Sequence, residues 1–178
     1  MQQLSMYWKN DGGAPKAPEV PVGCEIVTYP ELDGAKDKWL DIVQHGLSIG
    51  RKTEEYYHRM MLSLELYRED KCFFLLENGQ AVATVTVLCN YETNAARIHM
   101  VACAESARGK GYGTLLSKLA EYVLKREGMQ TARLSTDDWR IPAIKSYLGI
   151  GFAPDLSTDD FKERWGKIYE QIGRELAE

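Results

Sequence analysis

Residues 108 to 113 read Arg-Gly-Lys-Gly-Tyr-Gly and sit between an apolar run of strand length and a run with helical spacing. The run before is Arg97 to Cys103. The run after is Thr114 to Glu127, where Leu115, Leu116, Leu119, Tyr122 and Val123 recur at helical intervals. A glycine-rich turn that opens a helix aims several backbone N–H groups at one point, and the helix dipole makes that point favourable for phosphate. Glycine also lets the backbone approach an anion with no Cβ in the way. Two phosphate loops fail on spacing. The P-loop needs lysine followed by Ser or Thr, and Lys110 is followed by Gly111. The Gly-x-Gly-x-x-Gly fingerprint of dinucleotide folds, counted from Gly109, would put its third glycine on Thr114.

A third pattern, Gln/Arg-x-x-Gly-x-Gly/Ala, is met by Arg108, Gly111 and Gly113. A second segment adds to it. Residues 140 to 152 match Asn-x-x-Ala-Ile-x-x-Tyr-x-x-x-Gly-Phe at Ala143, Ile144, Tyr147, Gly151 and Phe152, with Arg140 standing at the asparagine position. With these two motifs in this order and spacing, the chain resembles the GNAT acetyltransferase superfamily. The resemblance is strong over residues 70 to 153 and extends over 24 to 69 by element order only.

The resemblance implies acetyl-coenzyme A as cosubstrate, with no metal. Its pyrophosphate is expected on the N–H groups of Gly109, Lys110, Gly111, Tyr112, Gly113 and Thr114, with charge added by Arg108 and Lys110 and with Arg140 nearby. In the superfamily a bulge in the fourth strand splays it from the fifth, and the freed backbone pairs with the pantetheine arm. The matching positions are Val101 and Cys103. Cys103 as a nucleophile is the weaker reading, since it has no visible His/Asp companions. Tyr147 takes the position whose phenol serves many relatives as general acid to the coenzyme sulfur; a phenol near pKa 10 exchanges protons readily with a thiol. Tyr147 as a core aromatic is the competing reading.

The attacking amine must be neutral, and for a lysine-like amine of pKa near 10.4 that costs about 4 to 5 kcal/mol at pH 7. His99, with a free pKa near 6.5, is the first candidate base. Strand alternation would place its side chain on the same face as Val101. Arg97 stands where some relatives carry a glutamate base. Glu92, Asp137 and Asp138 rank second, and a water chain without a single base remains open. The two early helices, which frame the acceptor in relatives, carry Tyr56, Tyr57, Met60, Met61 and Leu64, either as core or as a pocket wall. The implied reaction is acetyl transfer to an amine by direct attack, with a small or amino-acid-like acceptor. A regulatory module that binds acyl-coenzyme A without turnover, and a protein-lysine acetyltransferase, are the alternatives.

These groups must be positioned by a recognisable series of elements. Glu25 to Tyr29 reads as a strand, 31 to 49 as a helix, and 53 to 68 as a second helix capped by Thr53. Asn78-Gly79 between apolar runs predicts a hairpin. Strands follow at 95 to 104 and 130 to 136, a short helix at 140 to 149, and a last strand from Gly151 to Pro154. Phe161, Trp165, Ile168, Tyr169, Ile172 and Leu176 predict a further helix from about residue 158 to 177, capped by Ser157 or Thr158. The order fits an α/β (α+β) single-domain fold: a mixed sheet of about six strands with helices on both faces and an extra C-terminal helix. Residues 1 to 22, rich in Gly and Pro, read as an extended arm pinned by Met6, Tyr7 and Trp8; residues 23 to 178 form the domain. Many GNAT members end with one more strand. None is visible after Pro154, so the tail helix or a partner is expected to cover the sheet edge, which is compatible with a homodimer.

Composition sets the outer limits. The chain of 178 residues suits one domain with a sizeable core. A formal net charge of −4 argues against nucleic acid as a partner. No apolar run reaches the length of a membrane span, and no secretory leader is apparent. Cys24, Cys72, Cys89 and Cys103 lack zinc-site spacing and read as free thiols of a reducing cytoplasm.

Overall fold

Seven strands form a mixed sheet in the order β2-β3-β4-β5-β6-β1-β7. The computed structural model describes residues 2–47, 50 and 52–176. The strands are β1 (Leu4–Lys9), β2 (Cys24–Thr28), β3 (Cys72–Glu77), β4 (Gln80–Asn90), β5 (Ala95–Cys103), β6 (Thr131–Thr136) and β7 (Ala153–Pro154). The helices are α1 (Ala35–Gly46), α2 (Glu54–Tyr57), α3 (Tyr112–Arg126), α4 (Ile141–Gly149) and α5 (Asp159–Gln171). The mixed sheet with helices on both faces is as expected; the strand count is one higher.

Local signals account for most boundaries. Asn78 and Gly79 both take left-handed backbone angles, φ 50° and 80°, which lets a two-residue turn join β3 to β4. Thr53 caps α2 by accepting from the Tyr56 N–H at 3.2 Å, and Thr158 caps α5 by accepting from the Phe161 N–H at 3.2 Å. The helix expected over 53 to 68 is shorter. After Tyr57 it widens into a π turn, His58–Leu62, and Ser63 closes it by donating its hydroxyl to the carbonyls of His58 and Arg59. The helix expected over 31 to 49 begins only at Ala35, after a 3-10 turn at Tyr29–Glu31, and its last two expected residues, 48 and 49, lie outside the described residues; the tail helix expected to about 177 ends at Gln171.

The N-terminus departs most from expectation. Residues 4–9 are a strand inside the sheet rather than part of an arm beside it. β1 pairs antiparallel with β6 from Leu4↔Thr136 to Lys9↔Thr131, and its other edge holds β7 through Met6↔Pro154 and Tyr7↔Ala153. The strand missing after Pro154 is thus supplied from the front of the chain. Leu4, Met6 and Trp8 are buried in the main core, while Tyr7 and Lys9 face out. That alternation of two is the strand period. Polar contacts hold both ends of β1. Arg164 of α5 donates to the Gln2 carbonyl at 2.9 Å and pairs with Asp138 and Asp160; Asn10 donates through its backbone to Gln130 and through its side chain to Met129, each at 2.9 Å.

The sheet divides the core. On one face, α3, α4 and α5 pack through Leu116, Ala120, Ile144, Tyr147, Phe161 and Trp165 onto Leu4, Met6, Val85, Val87 and Ile98. On the other, α1, α2 and the π turn bring Trp39, Ile42, Val43, Tyr57 and Met61 onto Cys72, Phe74 and Ala102. Of the apolar residues of the N-terminus and tail, Met6, Trp8, Phe161, Trp165 and Ile168 are buried within the chain, while Tyr7 stays exposed. Among the described residues no helix is long and apolar enough to cross a membrane, and no cluster of His, Cys, Asp or Glu is arranged to hold a metal.

Candidate active site

The glycine loop lies at the N-terminus of α3, as its sequence predicts. A 3-10 turn, Glu105–Ala107, uses the Arg108 N–H, which donates to Glu105 at 3.2 Å. Gly111 then caps α3 at φ 80°, a left-handed angle that side chains disfavour. The first inward helical bond is Leu115 N–H to the Gly111 carbonyl at 3.1 Å. Between these two, the N–H groups of Gly109, Lys110, Gly111, Tyr112, Gly113 and Thr114 have no acceptor among the described residues. A Cβ at Gly109, Gly111 or Gly113 would meet nothing within 4 Å, so the space before the loop is open. An array of free donors around open space at a helix N-terminus fits a diphosphate.

The side chains of the loop do less for an anion than their types suggest. Lys110 is paired with Glu77 at the end of β3, at 2.8 Å, and Tyr112 is buried with its hydroxyl on the same carboxylate at 2.6 Å. The Lys110 and Tyr112 bonds hold Glu77 below the usual carboxylate range. Lys110 and Tyr112 therefore anchor the loop to the β3–β4 hairpin and present their backbone N–H groups. Glu77 was not singled out in the sequence, because nothing local ties it to a loop 33 residues later. Thr114 bonds Ser146 at 2.9 Å, which fastens α3 to α4, and Arg108 is exposed at the start of the loop.

The strand before the loop carries the bulge that the resemblance implied. Thr84 pairs with Ala102 and Thr86 with His99, so Met100 and Val101 together face Val85. Met100 absorbs the extra residue at φ 54°. On the opposite edge, β5 runs parallel to β6 only for Ala95↔Thr131, Ala96↔Ala132 and Arg97↔Arg133. Beyond that pair the strands part, and Ile98 to Cys103 have no registered partner on the β6 side. The opening is a V whose mouth lies beside the start of α3.

The bulge overturns one expectation. Before it, Ile98 faces the core under α3; after it, Val101 and Cys103 face that core, while Met100 and Ala102 face α1. One inserted residue inverts the alternation. His99 and Val101 thus lie on opposite faces. The His99 ring is buried beneath the π turn, where Nε2–H donates to the Met60 carbonyl at 2.8 Å. A carbonyl can only accept, so the free lone pair of the neutral ring is on Nδ1. Burial lowers the His99 pKa, more than the Met60 bond raises it, and Arg97 adds to the lowering.

Tyr147 is on the α3 face, 7% exposed, and its ring lies 6.4 Å from that of Phe152. Burial pushes its phenol up to about 12, with Arg140 acting against this and Cys103 for it. No protein partner for its hydroxyl is found among the described residues. Burial also pushes the Cys103 thiol up to about 11, so it is not a thiolate at neutral pH, which argues against a nucleophile.

The remaining candidates have other duties. Arg140, at the start of α4, pairs with Asp137 at 2.9 Å, donates to the Leu47 carbonyl at the end of α1 and stacks over Trp139 at 4.4 Å. It ties the end of α1 to the start of α4. Asp137 also accepts from Gln3, and Asp138 is held below its usual range by Arg164, so neither is an unengaged base. Glu92 lies in the turn between β4 and β5, at the end of β5 away from the bulge. In the aromatic and thioether stripe, Tyr57 and Met61 are core: Tyr57 stacks edge-on against Trp39 at 5.2 Å and bonds Tyr67 at 3.1 Å. Tyr56 and Met60 are half-exposed. Two surface depressions of about 330 and 410 Å³ lie off this line, by Glu65 and Tyr91 and along Asp37 and Gln44 of α1.

Residues 37–152 match the model of the Acetyltransferase (GNAT) family. The chain belongs to the GNAT family. Solved structures with the same fold include a GCN5-related N-acetyltransferase from Sphaerobacter thermophilus, 23% identical with a TM-score of 0.69. That match covers 87% of this chain and 50% of the other. The ribosomal-protein-S18-alanine N-acetyltransferase of Escherichia coli is 19% identical with a TM-score of 0.60, over 73% of this chain and 77% of the other. A tandem GNAT protein of the clavulanic acid pathway is 20% identical with a TM-score of 0.62, over 86% and 50%. The chain thus spans about half the length of the Sphaerobacter protein, and 55% of a GCN5-related N-acetyltransferase from Kribbella flavida. No curated protein sequence matches it. The GNAT fold supports acyl transfer from acetyl-coenzyme A to amines in general.

Proposed function

We propose that this GNAT chain moves an acetyl group from acetyl-coenzyme A to the amine of a small molecule by direct attack. One observation carries the reading: β5 leaves β6 after Arg97↔Arg133, beside a helix start whose N–H groups lack partners among the described residues. A V of freed main chain next to an anion cradle suits a long ligand with a diphosphate at one end and amides along its length. The N–H groups of residues 109 to 114 would take the diphosphate, and the main chain around Val101 and Cys103 the amides. Acetyl-coenzyme A supplies an activated acyl group as a thioester.

The faces of the sheet divide the proton chemistry. Tyr147 lies on the α3 side with a phenol that is protonated at neutral pH, and is suited to donate to a leaving sulfur. His99 lies on the α1 side, neutral at physiological pH with Nδ1 able to accept, and is suited to take a proton from an incoming ammonium. Acid and base flank the opening from opposite faces, so an acyl group can pass from one side to the other without a covalent enzyme intermediate.

Calorimetry with acetyl-coenzyme A and a thiol-release assay over a panel of amines test this. Wild-type protein should bind the coenzyme and release thiol with at least one small amine. Gly111→Asp places a carboxylate before the free N–H groups and should abolish coenzyme binding. Undiminished affinity in that variant would remove the loop assignment, and binding without turnover over the panel would favour a regulatory module.

A further inference from the structure

The last registered pair before β5 and β6 part is Arg97↔Arg133, two arginines side by side. Strand alternation puts Arg97 on the face of His99, away from Ile98, and Arg133 is outward in a strand whose Ala132 and Leu134 are buried. The same row continues to the exposed Tyr7 of β1. No helix of the α3 side covers this face.

The two guanidinium groups differ from other arginines of the chain. Arg68, Arg126, Arg140 and Arg164 each have a carboxylate. Arg97 and Arg133 have neither an ion pair nor a hydrogen bond among the described residues. Carboxylates are not scarce, since acidic residues outnumber Lys and Arg by 26 to 22. Arg97 is half-buried, and both burial and the charge of Arg133 push it below its ordinary value. A half-buried cation against a like charge, with no anion among the described residues, is unfavourable by itself. Two adjacent planar forks do match one carboxylate or phosphate.

We propose that Arg97 and Arg133 hold an anionic group of the acceptor, so that the amine acetylated here carries a carboxylate or phosphate several bonds from its nitrogen. The subsite rests on the acetyl-transfer reading above and gives that site its substrate class. Position sets the spacing. Arg97 lies two residues before His99 on one face and three before Met100 of the bulge, about 10 Å along the strand at ~3.3 Å per residue. The His99 ring falls between the arginines and the bulge. An acceptor lying along β5 would place its anion on the arginines and its nitrogen near the histidine. The flexible arginine stems shorten the span, which favours ω-amino acids and aminoalkyl phosphates over simple alkylamines.

The test compares ω-amino acids from β-alanine to 6-aminohexanoate, 3-aminopropyl phosphate, and n-alkylamines of equal length in the thiol-release assay. Wild-type kcat/KM should favour the anionic members by about 10-fold or more, as expected for a charge-assisted contact. Whether carboxylate or phosphate wins identifies the anion. Arg133→Gln should erase the preference through KM, leaving alkylamine rates and coenzyme affinity unchanged; Arg97→Gln should erase it as well, read above about pH 8, where the charge of Arg97 no longer sets the protonation of His99. Equal rates for charged and neutral acceptors, or a preference that survives both variants, would overturn the subsite. A binding readout is independent of turnover: the arginine Nε–Hε signals followed by NMR during titration with 6-aminohexanoate and with inorganic phosphate. Shifts in the Arg97 and Arg133 signals support the subsite and their absence overturns it. Failure to bind acetyl-coenzyme A would instead be the failure of the acetyl-transfer reading.

Discussion

The two edges of β6 are treated in opposite ways. Along one, β1 pairs with it over its whole length, from Thr131 to Thr136. Along the other, β5 pairs over three residues and then leaves. Unpaired strand edges invite wrong partners or closure, so a V-shaped opening persists only where its walls are held from behind. β1 does this for β6: Leu4, Met6 and Trp8 are buried under the helices, and Arg164 and Asn10 secure the ends. On the other wall, the bulge at Met100 and Val101 bends β5 while its pairing with β4 continues to Cys103. The sealed edge holds the fold and the open edge provides the proposed site.

The comparison can be broken most sharply at the sealed edge. Met6 is fully buried, and Met6→Ala should cost about 2 to 5 kcal/mol, the range for truncation in a core. Urea denaturation measures it, and coenzyme affinity of the folded fraction should change little. A loss below about 0.5 kcal/mol, typical of surface sites, would mean that β1 is an appendage. At the open edge the effect is on rate. Tyr147→Phe should lower kcat by roughly 10- to 100-fold or more while coenzyme affinity stays unchanged. With its phenol raised to about 12, wild-type activity should show no loss attributable to Tyr147 up to about pH 11. A wild-type rate in the variant would leave the ring as packing only.

The smallest effect concerns His99. Its pKa is lowered, so the neutral base persists below the free value near 6.5, and the acidic limb of kcat/KM should lie below that pH. The His99→Ala variant should lose that limb, and an unchanged limb would disqualify it as the base. Stability follows the same sign: the unfolded chain takes up the proton first, so the contribution of His99 is present above about pH 6.5 and is lost as pH falls toward the folded value. Acid titration of the unfolding free energy in wild type and variant reads this difference directly.

How much of this was legible beforehand depended on the range of the interaction. The loop at Gly111, the Asn78-Gly79 turn and the caps at Thr53 and Thr158 are encoded within a few residues, because dihedral preference and local hydrogen bonding decide them. The place of Tyr147 on α4 was readable from a motif that runs from Arg140 to Phe152. The facing of His99 was misjudged because methionine is no signal for the left-handed angle found at Met100, and a single bulge reverses every side chain beyond it. Arg133 passed unnoticed, although its outward place between Ala132 and Leu134 was readable, because its neighbour Arg97 is on a different strand.

By itself, then, the order of residues determined most of the elements, the glycine turn before α3 and the family to which they belong, since each depends on contacts within a turn or a helix. Folding in three dimensions decided which edge Leu4 to Lys9 would close, where β5 and β6 would separate, and which face each proton-transfer group would occupy. Those outcomes depend on pairing between strands more than a hundred residues apart in the case of β1 and β6, and on a register that no single segment contains.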